Sequence, residues 1–381
     1  MTNGWTGGQY SVVRAIFGVV LCAQFLRTIG WGAESFSRVA LLPDARSRPL
    51  ARVFPNVLDV WSSPGAAITL LVVCAALSLL LAVGWWDRTA AVGLSYLGAC
   101  FFVRSPLVAS AWLPFAGWLL LVHACLPPAP YGSVAALGRV DPAGAWRMPP
   151  LIFAAAWIVM AFGYSAGGYA KLLSRSWVDG VWTVSALELL FAPLALVAPL
   201  RPWLWLATLV VGLAPNALIG VADAGPGLAL LHLLTLDPGW IRPRGAPAPE
   251  RLFYDGSCGL CHRAVRFVLA EDRTGDAFRV APLGGAAFER EIPAGARAGL
   301  PDSLLVVRAD GARLARSAAV LHIAACLGGL WRALALVLRA VPAPLRDLGY
   351  DAVARVRLRL FARPTEACPL LPPHLRARFD A

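Results

Sequence analysis

Cys258 and Cys261 stand in a C-x-x-C spacing within the run RLFYDGSCGLCH, residues 251–262. The apolar residues 252–254 predict a short strand before them, and apolar residues at helical spacing predict a helix over about 259–271. A helix N-terminus beside Cys258 would stabilise its thiolate, and Cys261 would then resolve the mixed disulfide that this thiolate forms. The spacing therefore predicts a redox-active dithiol.

Asp255 and His262 flank this pair, and each has more than one interpretation. Asp255 could cap the helix or shuttle a proton, and the sequence does not separate these roles. His262 extends the spacing to C-x-x-C-H, the attachment pattern of a c-type haem. Because all three methionines lie outside the tail, a second axial ligand would have to be His322 or His374. We favour the dithiol, with His262 in the first turn of the helix, where it tunes the potential of the pair.

A structural zinc is the other alternative for these cysteines. It would need Cys326 and Cys368, which do not form a second C-x-x-C. Cys326 also shares a predicted helix face with apolar residues, where a buried thiol is ordinary. We therefore predict no metal, and we expect the thiol exchange to need no cofactor.

Lys171 is the only lysine among the 34 basic residues of the chain. Chance retention would explain a single lysine, but the alternative is a site that needs an amine able to lose its proton, which arginine cannot do. Nearby glycines, Gly163, Gly167 and Gly168, permit close helix packing and predict that the lysine faces protein rather than lipid. Burial would favour the neutral amine and make Lys171 a base. Glu188 lies just inside a weak apolar segment and would need a basic partner.

The composition is that of an integral membrane protein, with 58% hydrophobic and 15% charged residues. Most of the net charge of +12 lies in residues 242–381, and no nucleic-acid-reading motif is present. We therefore expect contact with the lipid bilayer, a cytoplasmic tail and no nucleic-acid partner. Five to eight crossings are predicted, from clear apolar runs at 12–31, 66–86, 108–126, 150–170 and 202–221 and weaker ones at 89–103, 184–200 and 225–237.

The chain divides into a polytopic helical membrane domain over 1–240, a proline-rich linker over 241–250 and a second domain over 251–381. In the second domain, strands are predicted at 251–254, 277–282 and 303–307, with a turn at 309–311 that begins a hairpin. Ser317 is predicted to cap a helix over 318–327, and 330–340 and 343–361 are predicted helices. This order predicts a multi-spanning α-helical membrane domain followed by a thioredoxin-like α/β domain.

The runs YDGSCGLC, DSLLVV, DGARLARSAAVL and LGGLWR resemble the DCC family of thiol-disulfide oxidoreductases. The resemblance covers nearly all of residues 250–381. It implies that Asp255, Gly256, Cys258 and Cys261 form the family's D-G-x-C-x-x-C motif, and that the chain is an enzyme of dithiol–disulfide exchange.

A second resemblance lies in the membrane half, carried by Tyr164, Gly167, Lys171, Leu172, Trp177 and Gly180. Their spacing resembles the signature of the vitamin K-dependent gamma-carboxylase superfamily and its bacterial relatives, the horizontally transferred transmembrane (HTTM) domain proteins. It implies that Lys171 is a base that deprotonates a reduced quinone. We expect a pocket there that suits a quinone, a quinol or another apolar molecule. We expect no room in the chain for the large extramembrane domain with which the carboxylase holds its protein substrate, which argues against peptide carboxylation.

Together these features predict a thiol-disulfide oxidoreductase anchored in a bacterial-type inner membrane. Electrons would pass to or from a thiol or disulfide partner protein or a quinone. Two alternatives stay open. One is a membrane-embedded, gamma-carboxylase-like modifying enzyme that uses Lys171 as base, and the other is a non-enzymatic membrane scaffold or lipid carrier.

Overall fold

The amino-terminal region is helical in the computed structural model, which describes residues 3–39, 53–106, 109, 112–173, 175–219, 225–297, 300, 304–361 and 371–380. Its helices are α1 Gly7–Phe36, α2 Val57–Val60, α3 Pro64–Val83, α4 Asp87–Arg104, α5 Leu113–Ala124, α6 Pro150–Leu172, α7 Arg175–Leu189, α8 Phe191–Ala195, α9 Arg201–Ile219 and α10 Gly225–Thr235.

The most extensive helix–helix contact of this region lies between α1 and α3, and local sequence explains both helices. The Thr6 hydroxyl accepts a hydrogen bond from the backbone N–H of Gln9 at the start of α1. Helix α3 has Pro64 in its first turn and ends at Gly84, whose φ of +72° suits a residue without Cβ. Between the helices, a Cβ on Gly18 would lie 2.6 Å from the carbonyl oxygen of Ser78. Glycine at position 18 therefore lets the two backbones touch.

Three helices of the described residues, α1, α3 and α6, are long and apolar enough to cross a membrane. They correspond to the spans predicted at 12–31, 66–86 and 150–170. The predicted span at 108–126 is shorter than expected, because α5 has 12 residues, or roughly 18 Å of helix against a hydrocarbon core of about 30 Å. The weak segment predicted at 184–200 is broken, as the end of α7, the short α8 and a turn.

The second domain is a small mixed sheet with helices on both faces. Its elements are β1 Glu250–Tyr254, α11 Gly259–Glu271, β2 Phe278–Pro282, α12 Ala286–Glu291, β3 Leu305–Val307, β4 Arg313–Ala315, α13 Arg316–Leu327, α14 Gly329–Leu338, α15 Ala343–Leu360 and α16 Pro373–Arg376.

The four strands lie in the order β2-β1-β3-β4, with β1 and β2 parallel and the other two pairs antiparallel. Alternate residues of each strand face opposite sides. Leu252 and Val306 pack with Val265 of α11 on one side, while Phe253 packs with Phe288 of α12 on the other. Helix α11 thus crosses from β1 to its parallel neighbour β2, and both faces of β1 are buried.

Helix α12 and the start of α13 differ from the predicted elements. Helix α12 lies between β2 and β3 and was not predicted, because its six residues are too few to show a period. The prediction that Ser317 caps the following helix was wrong: α13 begins at Arg316, and Ala315 precedes it without a side-chain cap. Instead, the N–H and hydroxyl of Ser317 both donate to Asp347 of α15, so a carboxylate from another helix takes the place of the cap.

The proline-rich segment predicted as a linker contacts the second domain through its first residues, 241–244. The N–H of Arg244 donates to the carbonyl of Ala325 at 2.8 Å, and the N–H of Gly329 donates to the carbonyl of Ile241 at 2.8 Å. Strand β1 begins at Glu250, the last residue of the predicted linker. The segment therefore lies against the junction of α13 and α14.

Candidate active site

The two predicted redox cysteines lie where β1 gives way to α11. Cys258 is the N-cap of α11, in an extended conformation, and Cys261 lies in the first turn of the helix. The N–H of Cys258 donates to the carbonyl of Asp255 at 3.2 Å, and the N–H of His262 donates to the carbonyl of Cys258 at 3.1 Å. Both thiols are free. The turn thus holds the pair at the end of a helix whose N–H groups favour negative charge.

The two sulfur atoms and one carboxylate oxygen of Asp255 all lie within 4.8 Å of one another. Cys258 is fully buried and Cys261 is 5% exposed. Burial raises the pKa of the Cys261 thiol to about 12, with the neighbouring Cys258 adding to the rise and Arg357 opposing it. At neutral pH Cys261 is therefore a thiol rather than a thiolate.

The hydrogen-bond partners of Asp255 bear on one of its two predicted roles, that of helix cap. Its Oδ1 accepts hydrogen bonds from the N–H of Ser257 at 2.9 Å and from the Ser257 hydroxyl at 2.7 Å. Ser257 precedes α11, and Cys258 is the N-cap, so the capping role is not found. The proton-shuttle role stays a prediction, and the nearness of the carboxylate to both sulfurs is consistent with it.

His262 lies in the first turn of α11, as predicted, and holds the loop that carries Cys258. Its Nε2 lies 3.0 Å from the carbonyl oxygen of Gly256, so the ring donates its proton to the backbone. The ring also packs edge-on against Tyr254, with centroids 5.6 Å apart. Of the predicted haem partners, His322 contacts Glu250 and Cys326 instead of the dithiol. Cys368, the second cysteine of the zinc alternative, lies outside the described residues.

Arg357 of α15 is a site residue that the sequence did not reveal. Its Nη2 lies 3.4 Å from Oδ2 of Asp255, and the side chain is buried. A hydrophobic groove of about 470 Å³ runs beside it, lined by Leu260, Cys261, Leu304, Val320, Leu321, Tyr350 and Val353 among others. Helix α15 therefore covers the dithiol, and Cys261 lies at the floor of an apolar groove between α11, α13 and α15.

Lys171 lies in the amino-terminal helices, at the end of α6, and pairs with Glu188 of α7. Its Nζ is 2.6 Å from Oε1 and 2.7 Å from Oε2 of that carboxylate. The basic partner expected for Glu188 is thus Lys171 itself. The side chain of Glu188 is 7% exposed and that of Lys171 is 28% exposed, so the carboxylate is the more deeply buried partner.

The glycines around Lys171 are not equivalent. A Cβ on Gly168 would lie 2.6 Å from the carbonyl oxygen of Ser185, so α6 and α7 pack closely there, as predicted. A Cβ on Gly163 would meet nothing within 4 Å, so the packing role predicted for that residue is not found. Trp177 and Gly180 of the second resemblance lie in α7, and the side chain of Trp177 is outside the described residues.

Comparison with known proteins bears on the carboxyl-terminal domain. The family model of the DCC1-like thiol-disulfide oxidoreductases matches residues 252–363, which include both cysteines and α15. "Uncharacterized protein YuxK" of Bacillus subtilis (strain 168) is 32% identical over 136 residues, a match of 34% of this chain and 94% of that protein. No solved structure matches the chain. Because nearly the whole length of this relative is covered, the chain belongs, through its carboxyl-terminal domain, to the DCC1-like thiol-disulfide oxidoreductase family.

Proposed function

We propose that this enzyme is a membrane-anchored thiol-disulfide oxidoreductase in which Cys258 attacks and Cys261 resolves. The observation that carries the assignment is the pair of free thiols at the start of α11, with both sulfurs and an Asp255 oxygen within 4.8 Å of one another. Cys258 is the attacking residue because it lies at the N-cap, where the helix stabilises a thiolate. Cys261 is held as a thiol by its raised pKa until the resolving step.

The exchange proceeds in two steps. The Cys258 thiolate attacks a disulfide of the partner, a bond forms between Cys258 and one partner sulfur, and the other partner sulfur leaves as a thiolate. Cys261 then gives its proton to the Asp255 carboxylate and attacks Cys258, which releases the second partner thiolate. The chain has lost two electrons, and the partner, after taking up two protons, is a dithiol.

A thioredoxin-like fold for the carboxyl-terminal domain is part of the proposal. Its support is the order of elements and strands: a β1-α11-β2 crossover between parallel strands, and then the antiparallel β3–β4 hairpin followed by α13. In this arrangement the dithiol opens the crossover helix at the end of the buried strand β1. The same residues would then serve as nucleophile and resolving thiol as in other proteins with a C-x-x-C at this place.

Membrane anchoring by the amino-terminal helices is proposed from α1, α3 and α6, each long and apolar enough to span a bilayer. The basic character of residues 242–381 favours a cytoplasmic position for the redox domain in a bacterial-type inner membrane. A quinone in the membrane half is the proposed electron partner in addition to a thiol protein, since quinones and disulfides each exchange two electrons. The Lys171–Glu188 pair supports a proton-handling site there.

Exchange assays on the purified full chain in detergent test this assignment. Cys258→Ser is expected to abolish reduction of a small disulfide, and Cys261→Ser is expected to accumulate a mixed disulfide on Cys258. Cys125→Ser is the control, because Cys125 is exposed and belongs to the amino-terminal region. Exchange at the parent rate in the Cys258→Ser chain would rule out the proposed nucleophile.

A further inference from the structure

Three potential metal ligands meet at the start of β1, away from the dithiol. Glu250 is the first residue of β1, and His322 and Cys326 lie one helical turn apart on α13. Nε2 of His322 lies 2.5 Å from Oε2 of Glu250 and 3.5 Å from Sγ of Cys326. All three residues are buried, with 5%, 3% and 6% of their surface exposed for Glu250, His322 and Cys326 respectively.

The carboxylate and the thiol approach the same ring nitrogen of His322. A hydrogen-bonded relay of the Cys–His–carboxylate type would use the two ring nitrogens separately, one toward each partner. Here an oxygen, a nitrogen and a sulfur converge, with all three atoms within 4.8 Å of one another. An arrangement in which three ligand atoms converge favours the binding of one cation over the transfer of protons from group to group.

The separations fit a tetrahedral metal of the zinc class. With metal–nitrogen and metal–sulfur bonds of about 2.0 and 2.3 Å, a tetrahedral site separates its nitrogen and sulfur ligands by roughly 3.5 Å. The distance from His322 Nε2 to Cys326 Sγ has this value. The distance from Nε2 to the Glu250 oxygen would have to lengthen by under about 1 Å, a change within reach of a carboxylate rotation.

One member of the cluster, Cys326, also borders a cavity. A cavity of about 680 Å³ lies between the two halves of the chain, and Cys326 is one of its lining residues. Trp5 and Thr6 line it from the amino-terminal side, and Leu327 and Gly329 line it from the α13–α14 junction. A metal could enter by this route, and a water could fill the fourth position.

We propose that Glu250, His322 and Cys326 form a binding site for one divalent cation of the zinc class. Mixed oxygen, nitrogen and sulfur ligands select such a borderline metal over magnesium or calcium, which take oxygen ligands. The site joins α13 to the first residue of β1, the strand whose other end carries the dithiol loop. It is separate from the C-x-x-C motif and uses none of its residues.

Metal titration of the full chain tests the proposal, with the dithiol removed because Cys258, Cys261 and Asp255 are themselves a potential ligand cluster. The reduced, chelator-treated Cys258→Ser/Cys261→Ser chain in detergent is titrated with Zn²⁺ against a chromophoric chelator, and with Co²⁺ by absorption. One equivalent should bind, and Co²⁺ should give a thiolate charge-transfer band. Adding Cys326→Ser should remove the band and weaken Zn²⁺ binding by more than about tenfold, the smallest cost of losing even a supporting hydrogen bond.

Two further measurements keep the test independent of whether the Cys326→Ser chain folds. Cys125→Ser in the same background should leave stoichiometry and affinity unchanged. X-ray absorption of the zinc-loaded background chain should show one sulfur ligand, with nitrogen and oxygen filling the remaining positions. Failure of the background chain to bind Zn²⁺, a zinc shell without sulfur, or unchanged binding in a folded Cys326→Ser chain would each overturn the proposal.

Discussion

The carboxylate of Glu271 accepts a hydrogen bond from the backbone N–H of Gly8, with 2.8 Å between N and Oε1. Glu271 is the last residue of α11, the helix that opens on the dithiol, and Gly8 lies in the first turn of the apolar helix α1. The Thr6 hydroxyl and the indole N–H of Trp331 also donate to this carboxylate. One helix therefore links Cys258 at its start to the N-terminus of a candidate membrane span at its end.

Stability should depend on pH through Glu271. Burial raises the pKa of this carboxyl above its ordinary value of 4.5, against the hydrogen bonds, which favour the charged form. The folded chain therefore binds this proton more tightly than the unfolded chain does. Its contribution to stability is fully present below pH 4.5 and is lost as the pH rises through the raised pKa.

The melting temperature of the detergent-solubilised chain, measured from below pH 4.5 to neutrality, checks this dependence. Glu271→Gln should remove the loss of stability on the alkaline side, because an amide does not titrate. Glu289→Gln is the control, since Glu289 is an exposed residue of α12 and should keep the parent dependence. If the melting temperatures of the Glu271→Gln chain and the parent changed with pH in the same way, the Glu271 carboxyl would not be the source of the pH dependence.

The cover that α15 forms over the dithiol should limit the reactivity of both cysteines. Asp347→Asn weakens the hydrogen bonds that Ser317 donates to α15. The weaker contact should destabilise the covering position of α15 by about 1 kcal/mol. Because the uncovered state is then more populated, maleimide alkylation of the reduced C-x-x-C pair should be about fivefold faster. Asp310→Asn, in the β3–β4 turn, is the matched control. Equal alkylation rates in the Asp347→Asn chain and the parent would show that α15 does not gate access.

Lys171→Arg separates the charge of Lys171 from its chemistry. Arginine can keep the ion pair with the buried Glu188 but cannot lose its proton at accessible pH. We expect the variant to keep the folded state and the thiol exchange of the parent, and to lose quinone-dependent turnover of the full chain. Lys171→Ala is less informative, because it leaves the buried Glu188 charge uncompensated at a cost of about 3–5 kcal/mol. Quinone-dependent rates equal to the parent's would remove Lys171 from the mechanism.

The redox helix was predictable because its signals are local. Val265, Val268 and Leu269 recur on one face and are all buried, and the helix bounds agree with those predicted. The C-x-x-C spacing likewise places both sulfurs at one helix end without help from distant residues. Helix α12 was not predicted, because its six residues between Gly285 and Ile292 are too few to show the periodicity of a helix.

The remaining site residues depend on contacts that spacing does not encode. Arg357 is one of several arginines in α15, and its partner Asp255 is 102 residues away. Glu250 and His322 are 72 residues apart, so the His322–Cys326 spacing on α13 gave no sign of a third ligand. The Lys171–Glu188 pair was predicted in part, because the sequence showed that Glu188 needed a basic partner but did not show that this partner is Lys171. Tertiary packing alone decides these pairings.

A redox titration of the full chain tests whether Cys258 and Cys261 form a redox-active dithiol. The protein in detergent is equilibrated in thiol–disulfide buffers of graded potential, its free thiols are alkylated, and Cys258 and Cys261 are followed by mass spectrometry. We predict that the two cysteines interconvert together between dithiol and a mutual disulfide, in one two-electron transition near the potential of the cellular thiol pool. A pair that stays reduced across the whole range, or that pairs with other cysteines of the chain, would contradict it.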